Sequence, residues 1–277
     1  MSRYLLSRPD HFRVLYEINP WMKNHIGTVN KPVAEAQWKK LYATMSQISL
    51  LELLPSQQDC PDLVFTANAG LVHESIFIPS RFKNPERQLE EHHIRQWFEN
   101  QNHTIKPLSD VPFEGAGDAL FSANKDILWV GYGQRTGELA LNDLQYLLGH
   151  EITVEGLKLI NPDYYHLDTC FCPLESGHIV YYPKALDTAS NQLIEQYYNP
   201  SERIIVSNDD ARLLACNMVS IPYSQNDNFN FTAILNDCSD DLYQKLNQAD
   251  HHVIKTPMSE FMKSGGSVKC LTLKLPN

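Results

Sequence analysis

The sequence lacks the features of a membrane, secreted or nucleic-acid-binding protein. It contains no run of about 18 apolar residues, the length that a membrane-spanning helix requires. Residues 1–10 carry charges and a proline but no apolar segment, so we expect no secretion signal, no membrane partner and a cytoplasmic location. Basic residues are few, since 23 Lys and Arg stand against 33 Asp and Glu, a net charge of -10. This balance argues against a nucleic-acid partner.

Recognisable cofactor and metal motifs are absent too. Neither a G-x-G-x-x-G pattern nor a P-loop is present, so no phosphate-binding loop is expected. The six cysteines are scattered through a chain large enough to fold without disulfides, and we expect them to be thiols. One C-x-C pair with no second pair nearby is a weak zinc signal, and we expect no metal. The six are Cys60, Cys170, Cys172, Cys216, Cys238 and Cys270.

The pattern of apolar residues predicts an α/β fold. Apolar residues make up 43% of the chain and charged residues 20%, which is ordinary for a globular protein. Residues 32–53 have helical spacing, whereas 11–19, 62–72, 166–173 and 268–275 read as strands. Strands and helices alternate throughout without a Pro/Gly/Ser-rich linker. A strand–helix unit that recurs roughly every 45 to 60 residues hints at a repeated architecture.

A cysteine near the end of the chain is the first candidate for chemistry. The sequence from Ser264 to Cys270 reads SGGSVKC and leads into the apolar run LTLKL. Glycines allow the backbone to approach a bound ligand closely. Cys270 is therefore a candidate nucleophile, although a buried structural cysteine is the ordinary alternative for an isolated thiol.

Polar residues in four other segments could serve such a nucleophile. Asn68 interrupts an apolar run, and a buried amide needs hydrogen-bond partners. Glu114 lies in the glycine-rich turn FEGAGD, and Arg135 lies in GYGQRT, where it could grip a carboxylate. In a strand, His166 and Asp168 would share a face and could combine proton transfer with cation binding. The plain alternatives are a capping Asn, a surface turn, a solvated Arg and a core His.

Taken together, these motifs resemble one enzyme superfamily. The segments FTANAGLV, FEGAGDALF, GYGQRT, YYHLDTCFCPL and SEFMKSGGSVKCLTL resemble the guanidino-group-modifying enzymes of the pentein superfamily. These include arginine deiminases, dimethylarginine dimethylaminohydrolases and amidinotransferases. The resemblance runs from about Tyr16 to Leu275. It implies a five-bladed α/β propeller of ββαβ-like units around a central active site, as one domain over residues 1–277.

The resemblance also implies roles for the reacting groups. Cys270 would be the nucleophile and His166 the general acid and base, with Glu114 orienting His166. Asp168 would hold the guanidinium nitrogens, with Asn68 opposite. A thiolate can attack a guanidinium carbon when hydrogen bonds hold the planar group in place. No metal or organic cofactor is required for this chemistry.

The ends of the substrate would be bound by further residues. Arg135 and Arg87 would bind the α-carboxylate of a small-molecule substrate, arginine or a derivative of it. Asp62 and the loop containing Asn19 could meet the α-amino group, and Phe65 completes the substrate-binding set. The sequence leaves a homo-oligomer open.

Asn68 distinguishes members of the superfamily. Deiminases and dimethylargininases resemble each other in having an aspartate there, whereas an amide can both donate and accept hydrogen bonds. FTANAGLV and HLDTCFCPL look most like the cyanobacterial-type arginine dihydrolases, which convert arginine to ornithine, two ammonia and carbon dioxide. The alternatives are a dimethylarginine dimethylaminohydrolase or an arginine deiminase that yields citrulline. An amidinotransferase and a non-catalytic arginine-binding protein are less favoured.

Overall fold

A computed structural model describes residues 1–223 and 228–276. Helices and short strands alternate along the chain, so the expected mixed α/β fold is confirmed. The helices of the described residues are α1 (Lys31–Ser46), α2 (Pro85–Asn100), α3 (Ala140–Leu148), α4 (Thr188–Tyr197), α5 (Asn208–Arg212), α6 (Asp240–Gln248) and α7 (Ser259–Met262). No helix in these two ranges is long and apolar enough to cross a membrane.

The strands are short and are separated by turns or helices. They are β1 (Arg3–Ser7), β2 (Leu50–Leu54), β3 (Gly70–His73), β4 (Ile76–Pro79), β5 (Thr104–Ile105), β6 (Ala119–Phe121), β7 (Ile127–Tyr132), β8 (Thr153–Lys158), β9 (Phe171–Pro173), β10 (Ile179–Tyr181), β11 (Arg203–Ile205), β12 (Val219–Ile221), β13 (Phe231–Leu235), β14 (His251–Lys255) and β15 (Leu273–Leu275).

These strands form five sheets of three strands, all built to one plan. In every sheet the middle strand pairs antiparallel with one neighbour and parallel with the other. A helix connects the two parallel strands, as a parallel pair requires a crossover. Four modules follow the chain: β3-β4-α2-β5, β6-β7-α3-β8, β9-β10-α4-β11 and β12-β13-α6-β14. The fifth, β15-β1-α1-β2, joins the two ends of the chain in one sheet.

Local sequence sets where helix α1 begins, and strand pairing limits where it can end. The side chain of Asn30 caps its first turn by accepting from the N–H of Val33. Trp38, Leu41 and Met45 form its buried face. The predicted helix over 32–53 is too long, because its last part is strand β2, which pairs in parallel with β1.

Four predicted strands are corrected by the structure. Residues 11–19 contain no strand, and the strand of this region is β1, upstream. Within 62–72 the chain forms 3-10 turns at Pro61–Val64 and Thr66–Ala69 before β3. Within 166–173 a 3-10 turn at Leu167–Thr169 precedes β9. In 268–275 only β15 is strand, and Cys270 lies in the turn before it. All residues of the turns at Thr66–Ala69 and Leu167–Thr169 are buried, whereas a regular strand would point consecutive side chains to opposite faces.

Candidate active site

Every module contributes polar side chains from the same place, the turn directly before its first strand. All of these side chains are buried, with at most 2% of their surface exposed. Because the turns recur at equivalent positions, the repeated fold gathers residues that are far apart in sequence. The residues are Asn68 before β3, Glu114 before β6, His166 and Asp168 before β9, Asn217 before β12 and Cys270 before β15.

Hydrogen bonds connect these turns one to the next. The N–H of Ala67 donates to the carbonyl of Cys270 at 3.1 Å. The amide of Asn68 donates to the carbonyl of Glu114 at 3.3 Å. The carboxylate of Glu114 in turn lies 2.6 Å from Nε2 of His166. The modules of β15, β3, β6 and β9 are thus linked through their polar turns.

Asn217 completes the connections. Its amide nitrogen donates to the carbonyl of Asp168 at 3.0 Å and to Sγ of Cys270 at 3.1 Å. Its Oδ1 accepts the N–H of Cys270 at 3.1 Å. The hydrogen bonds therefore run through all five turns and return to the cysteine. Asn217 is not among the residues predicted from the sequence, since its segment CNMVSI resembles a buried strand and carries no charged neighbour.

His166 and Glu114 form a buried pair suited to proton transfer. Oε2 of Glu114 contacts both His166 and Nη1 of Arg135, the latter at 3.2 Å. Burial alone would raise the pKa of Glu114. The hydrogen bond from His166 and the positive charges nearby outweigh burial and lower that pKa to about 2. The low pKa keeps Glu114 ionised at neutral pH, with Oε2 within hydrogen-bonding distance of the His166 ring.

A second carboxylate in the same motif supports this pair. Asp118 accepts a hydrogen bond from the hydroxyl of Thr136 at 2.7 Å and one from the N–H of Leu167 at 3.0 Å. Thr136 also accepts the N–H of Glu114 at 3.1 Å. Burial raises the pKa of Asp118 to about 6. Asp118 thus fixes the turn that follows His166, a role that its place in FEGAGD did not reveal.

The thiol of Cys270 lies against the carboxylate of Asp168. Sγ is 3.5 Å and 3.6 Å from the two carboxylate oxygens. Burial, and then the charge of Asp168, raise the pKa of the Cys270 thiol. Burial also raises the pKa of Asp168 to about 6. A cation bound beside this pair would favour the ionised form of both groups. The prediction of a shared strand face for His166 and Asp168 rested on the wrong local structure, because a 3-10 turn carries both to the site.

Asn68 is held from two sides. Its Oδ1 accepts a hydrogen bond from Nη1 of Arg87 at 2.9 Å, while its Nδ2 donates to Glu114. Gly117 packs so closely that a Cβ there would lie 2.2 Å from Nδ2 of Asn68. Only glycine leaves room for the amide in this orientation.

The two arginines of the candidate site are both buried and engaged within the chain. Arg87 forms a two-pronged ion pair with Glu90, at 2.9 Å and 2.8 Å, in addition to its bond to Asn68. Burial raises the pKa of Glu90 to about 7, although Arg87 opposes this rise. Arg135 donates to the carbonyl of Ile18 at 2.8 Å as well as to Glu114.

Asp62 carries one satisfied and one unsatisfied carboxylate oxygen. Its Oδ2 accepts from the hydroxyl of Tyr16 at 2.7 Å. Its Oδ1 is buried and has no hydrogen-bond partner among the described residues. A buried carboxylate oxygen without a donor is costly, so a ligand cation fits there. Asn19 caps a 3-10 turn through its Oδ1 and donates to the carbonyl of Ser264 at 3.0 Å.

The glycine turn before the cysteine packs against aromatic rings. Gly265 has a φ of +80°, in the left-handed region that favours glycine. A Cβ on Gly266 would lie 2.4 Å from the ring of Phe65, which also packs edge-on against Phe12. Bulky side chains at either glycine would therefore displace the cysteine turn.

A small cavity brings most of the predicted substrate-binding residues together with the cysteine. His166, Glu114 and Asp168 do not line this cavity. Asp168 contacts Cys270, Glu114 contacts Asn68, and His166 contacts Glu114. Within residues 1–223 and 228–276, no three His, Cys, Asp or Glu side chains are arranged to hold a metal ion. The predicted residues that line the cavity are Asn19, Asp62, Phe65, Asn68, Arg87, Arg135 and Cys270.

Comparison with known proteins identifies relatives across nearly the whole chain. The chain is 44% identical over 275 residues to the bifunctional arginine dihydrolase/ornithine cyclodeaminase AgrE of Nostoc sp., covering 99% of this chain and 38% of that protein. It is 32% identical over 274 residues to the N(G),N(G)-dimethylarginine dimethylaminohydrolase of Mycobacterium tuberculosis, covering 99% and 85% of the two chains. The chain thus spans well under half the length of the Nostoc relative.

A solved structure and a family model agree with these relatives. The N-terminal domain of ArgZ, a cyanobacterial arginine dihydrolase solved as a cysteine-to-serine mutant bound to substrate, superposes with a TM-score of 0.94. It is 42% identical in sequence, and the match covers 100% of this chain and 99% of that one. The model of the eukaryotic N,N dimethylarginine dimethylhydrolase family matches residues 17–276. The resemblance seen in the sequence motifs is therefore confirmed, and the chain belongs to the N,N-dimethylarginine dimethylhydrolase family.

Proposed function

We propose that the chain is a cysteine-dependent hydrolase of the guanidino group of L-arginine, an arginine dihydrolase that yields ornithine, two ammonia and carbon dioxide. The observation that carries this proposal is the pairing of Cys270 Sγ with the Asp168 carboxylate at 3.5 Å, beside the buried His166–Glu114 pair. A cation with several N–H donors, such as a guanidinium, satisfies a buried carboxylate and favours the neighbouring thiolate. The named activities of AgrE and ArgZ support arginine as the substrate.

In this proposal the substrate lies between Asp168, which binds its guanidinium end, and Asp62, which binds its α-amino end. Asp168 and Asn68 hold the guanidinium nitrogens. The free oxygen of Asp62 receives the α-amino group, since a primary ammonium supplies the donor that this oxygen lacks. Arg135 and Arg87 bind the α-carboxylate after giving up part of their present contacts, and Asn19 and Phe65 line the aliphatic stem.

The first round of chemistry follows from these positions. The Cys270 thiolate adds to the guanidinium carbon, and the C–N bond to one terminal nitrogen breaks as His166 gives that nitrogen a proton. Ammonia leaves and a covalent thiouronium remains. His166 then removes a proton from water, which attacks the same carbon and breaks the C–S bond, so that citrulline and the free thiol result.

A second round on citrulline makes the enzyme a dihydrolase. Cys270 attacks the ureido carbon, a second ammonia leaves, and water releases a carbamate that decomposes to ornithine and carbon dioxide. Two waters are consumed for each arginine. An aspartate at position 68 could only accept from the substrate, whereas Asn68 can donate an N–H to the neutral ureido oxygen. The amide therefore favours retention and hydrolysis of citrulline.

The main alternative is a dimethylarginine dimethylaminohydrolase, because the matching family model and the Mycobacterium relative bear that name. The same nucleophile and base would release dimethylamine and citrulline. A deiminase would stop at citrulline. A non-catalytic arginine-binding protein is less favoured, since the candidate nucleophile, base and orienting carboxylate are all retained. An amidinotransferase is less favoured because the motifs look most like those of the dihydrolases.

We also propose that the five modules close into a five-bladed α/β propeller, with residues 1–277 as a single domain. The pairing of β15 with β1 and the hydrogen bonds that run through the five turns support this arrangement. The proposal includes a cytoplasmic location, no organic cofactor and a small-molecule substrate; it leaves the oligomeric state open.

Product identification tests the function. Purified chain is incubated separately with L-arginine, with asymmetric dimethylarginine, and with arginine plus glycine, and products are identified by mass spectrometry. We expect ornithine from arginine, and no product from Cys270→Ser. Citrulline as the final product would point to a deiminase, and dimethylamine with inert arginine to a dimethylargininase. Guanidinoacetate would point to an amidinotransferase, and binding without turnover to a sensor.

A further inference from the structure

The side chain of Asn217 contacts three groups of the site: the sulfur of Cys270, the backbone N–H of Cys270 and the backbone carbonyl of Asp168. Asn217 is fully buried. Its amide nitrogen has two N–H groups, and these point to Cys270 Sγ and to the Asp168 carbonyl. Its oxygen faces the N–H of Cys270. Because a carbonyl must face the NH₂ group and a backbone N–H must face the oxygen, the amide has one orientation.

The backbone around Asn217 is as constrained as its side chain. Leu214 adopts a φ of 51°, which is uncommon for a residue other than glycine. The N–H of Asn217 donates to the carbonyl of Leu214 at 2.9 Å, and the carbonyl of Asn217 accepts the N–H of Lys269 at 3.3 Å. The amide is therefore held in place before any substrate arrives, which is the condition for a useful electrostatic contribution.

We propose that Asn217 supports the nucleophile directly, by fixing the position of Cys270 Sγ and by donating a hydrogen bond that stabilises its thiolate. A donor stabilises an ionised acceptor more strongly than a neutral one, so the contact gains strength as the thiol loses its proton. The inference rests on the proposed nucleophilic role of Cys270. It adds the module of β12 to the four modules that already supply candidate catalytic or binding groups.

Several charged and polar groups around the sulfur favour or disfavour the thiolate form of Cys270. Burial and the carboxylate of Asp168 disfavour the thiolate. The hydroxyl of Tyr165 is a further ionisable group that interacts with Cys270. The charge of Lys269 and the backbone of Ser267 act in the opposite direction, as Asn217 does. Asn217 is the side-chain hydrogen-bond donor in this group.

Alkylation of Cys270 by iodoacetamide measures the thiolate without any substrate. The rate is followed from about pH 6 to pH 11 by mass spectrometry of the Cys270 peptide, which separates it from the other cysteines. We expect Asn217→Ala to slow alkylation roughly tenfold at each pH of this range, which is equivalent to an upward shift of about one unit in the pKa of the thiol. Asn217→Asp keeps the acceptor for the Cys270 N–H but turns an oxygen toward Sγ, so its alkylation should be slower still at the same pH.

Asn236 offers a matched control. Its amide also donates to a backbone carbonyl and to a sulfur, those of Leu213 and Met262, and its oxygen accepts the N–H of Met258. Asn236→Ala should therefore remove an equivalent set of contacts and leave the Cys270 alkylation profile unchanged.

Two results would overturn the inference. One is a folded Asn217 variant whose alkylation profile coincides with those of the native chain and of Asn236→Ala. The other is loss of folding in both Asn217 variants while Asn236→Ala folds, which would assign Asn217 a purely structural role. If the profile shifts as expected but arginine is not consumed, the proposed function fails and the role of Asn217 at the thiol remains.

Discussion

Replacing Glu114 by glutamine should weaken both catalysis and folding, with a pH dependence that identifies the cause. The folded chain lowers the pKa of Glu114 from 4.5 to about 2. A shift of this size corresponds to about 3 kcal/mol of folding free energy at neutral pH. The glutamine also leaves buried Arg135 without its carboxylate partner. We therefore expect a loss of about 3 kcal/mol in the free energy of unfolding at pH 7.

The sign of the pH dependence follows from the direction of the shift. A depressed carboxyl pKa contributes stability above the unfolded pKa of 4.5, and this contribution is lost as pH falls toward 2. The difference between native chain and Glu114→Gln should therefore shrink when urea unfolding is measured at about pH 3. The kcat should fall by roughly 100-fold or more, since the general base loses the anion that orients it.

Glu90→Gln is the matched control, because Glu90 is also buried and paired with an arginine. Burial raises the pKa of Glu90 to about 7, so ionisation of Glu90 costs folding stability as pH rises from 4.5 to 7, the opposite of Glu114. We expect a smaller loss at pH 7 than for Glu114→Gln. Equal losses in the two variants, or a Glu114→Gln deficit that persists unchanged at low pH, would refute the electrostatic reasoning.

Three further predictions test the surroundings of the cysteine. Asn68→Asp should shift the product of arginine from ornithine to citrulline by about tenfold or more, measured as the ratio of the two by mass spectrometry, because the donor to the ureido oxygen is lost. Gly117→Ala should lower the free energy of unfolding by about 1–3 kcal/mol and reduce kcat/KM, since the added methyl overlaps the Asn68 amide; an unchanged melting temperature would contradict this. The raised pKa of Asp118, about 6, means that its contribution to stability is present at low pH and declines as pH rises from about 4 to 6. Asp118→Asn should flatten this decline in urea titrations, and an unchanged slope would count against the assignment.

The sequence predicted which polar residues lie together better than it predicted the local backbone. The motifs around Cys270, Glu114 and Asn68 named residues that the structure brings into contact or into one cavity. The hydrophobic pattern alone, however, predicted strands where the structure has 3-10 turns, at Thr66–Ala69 and Leu167–Thr169. Short apolar runs do not reveal turns whose side chains are directed by long-range contacts.

Features that depend on pairing across the whole chain were not predictable. Strand β1 was missed because its partners β15 and β2 are distant in sequence. The end of the predicted first helix is strand β2 because it pairs with β1. Asn217 was missed because its only local signal is an amide beside apolar residues. Its significance depends on the repeat, which places it where the other modules carry Asn68 and Cys270.

The most direct test of the central claim is the ratio of ammonia to amino-acid product during turnover of L-arginine. Ammonia, ornithine and citrulline are quantified in the same samples over time, with Cys270→Ser as the blank. We expect two ammonia for each ornithine and no lasting accumulation of citrulline. One ammonia for each citrulline, with no ornithine, would contradict it.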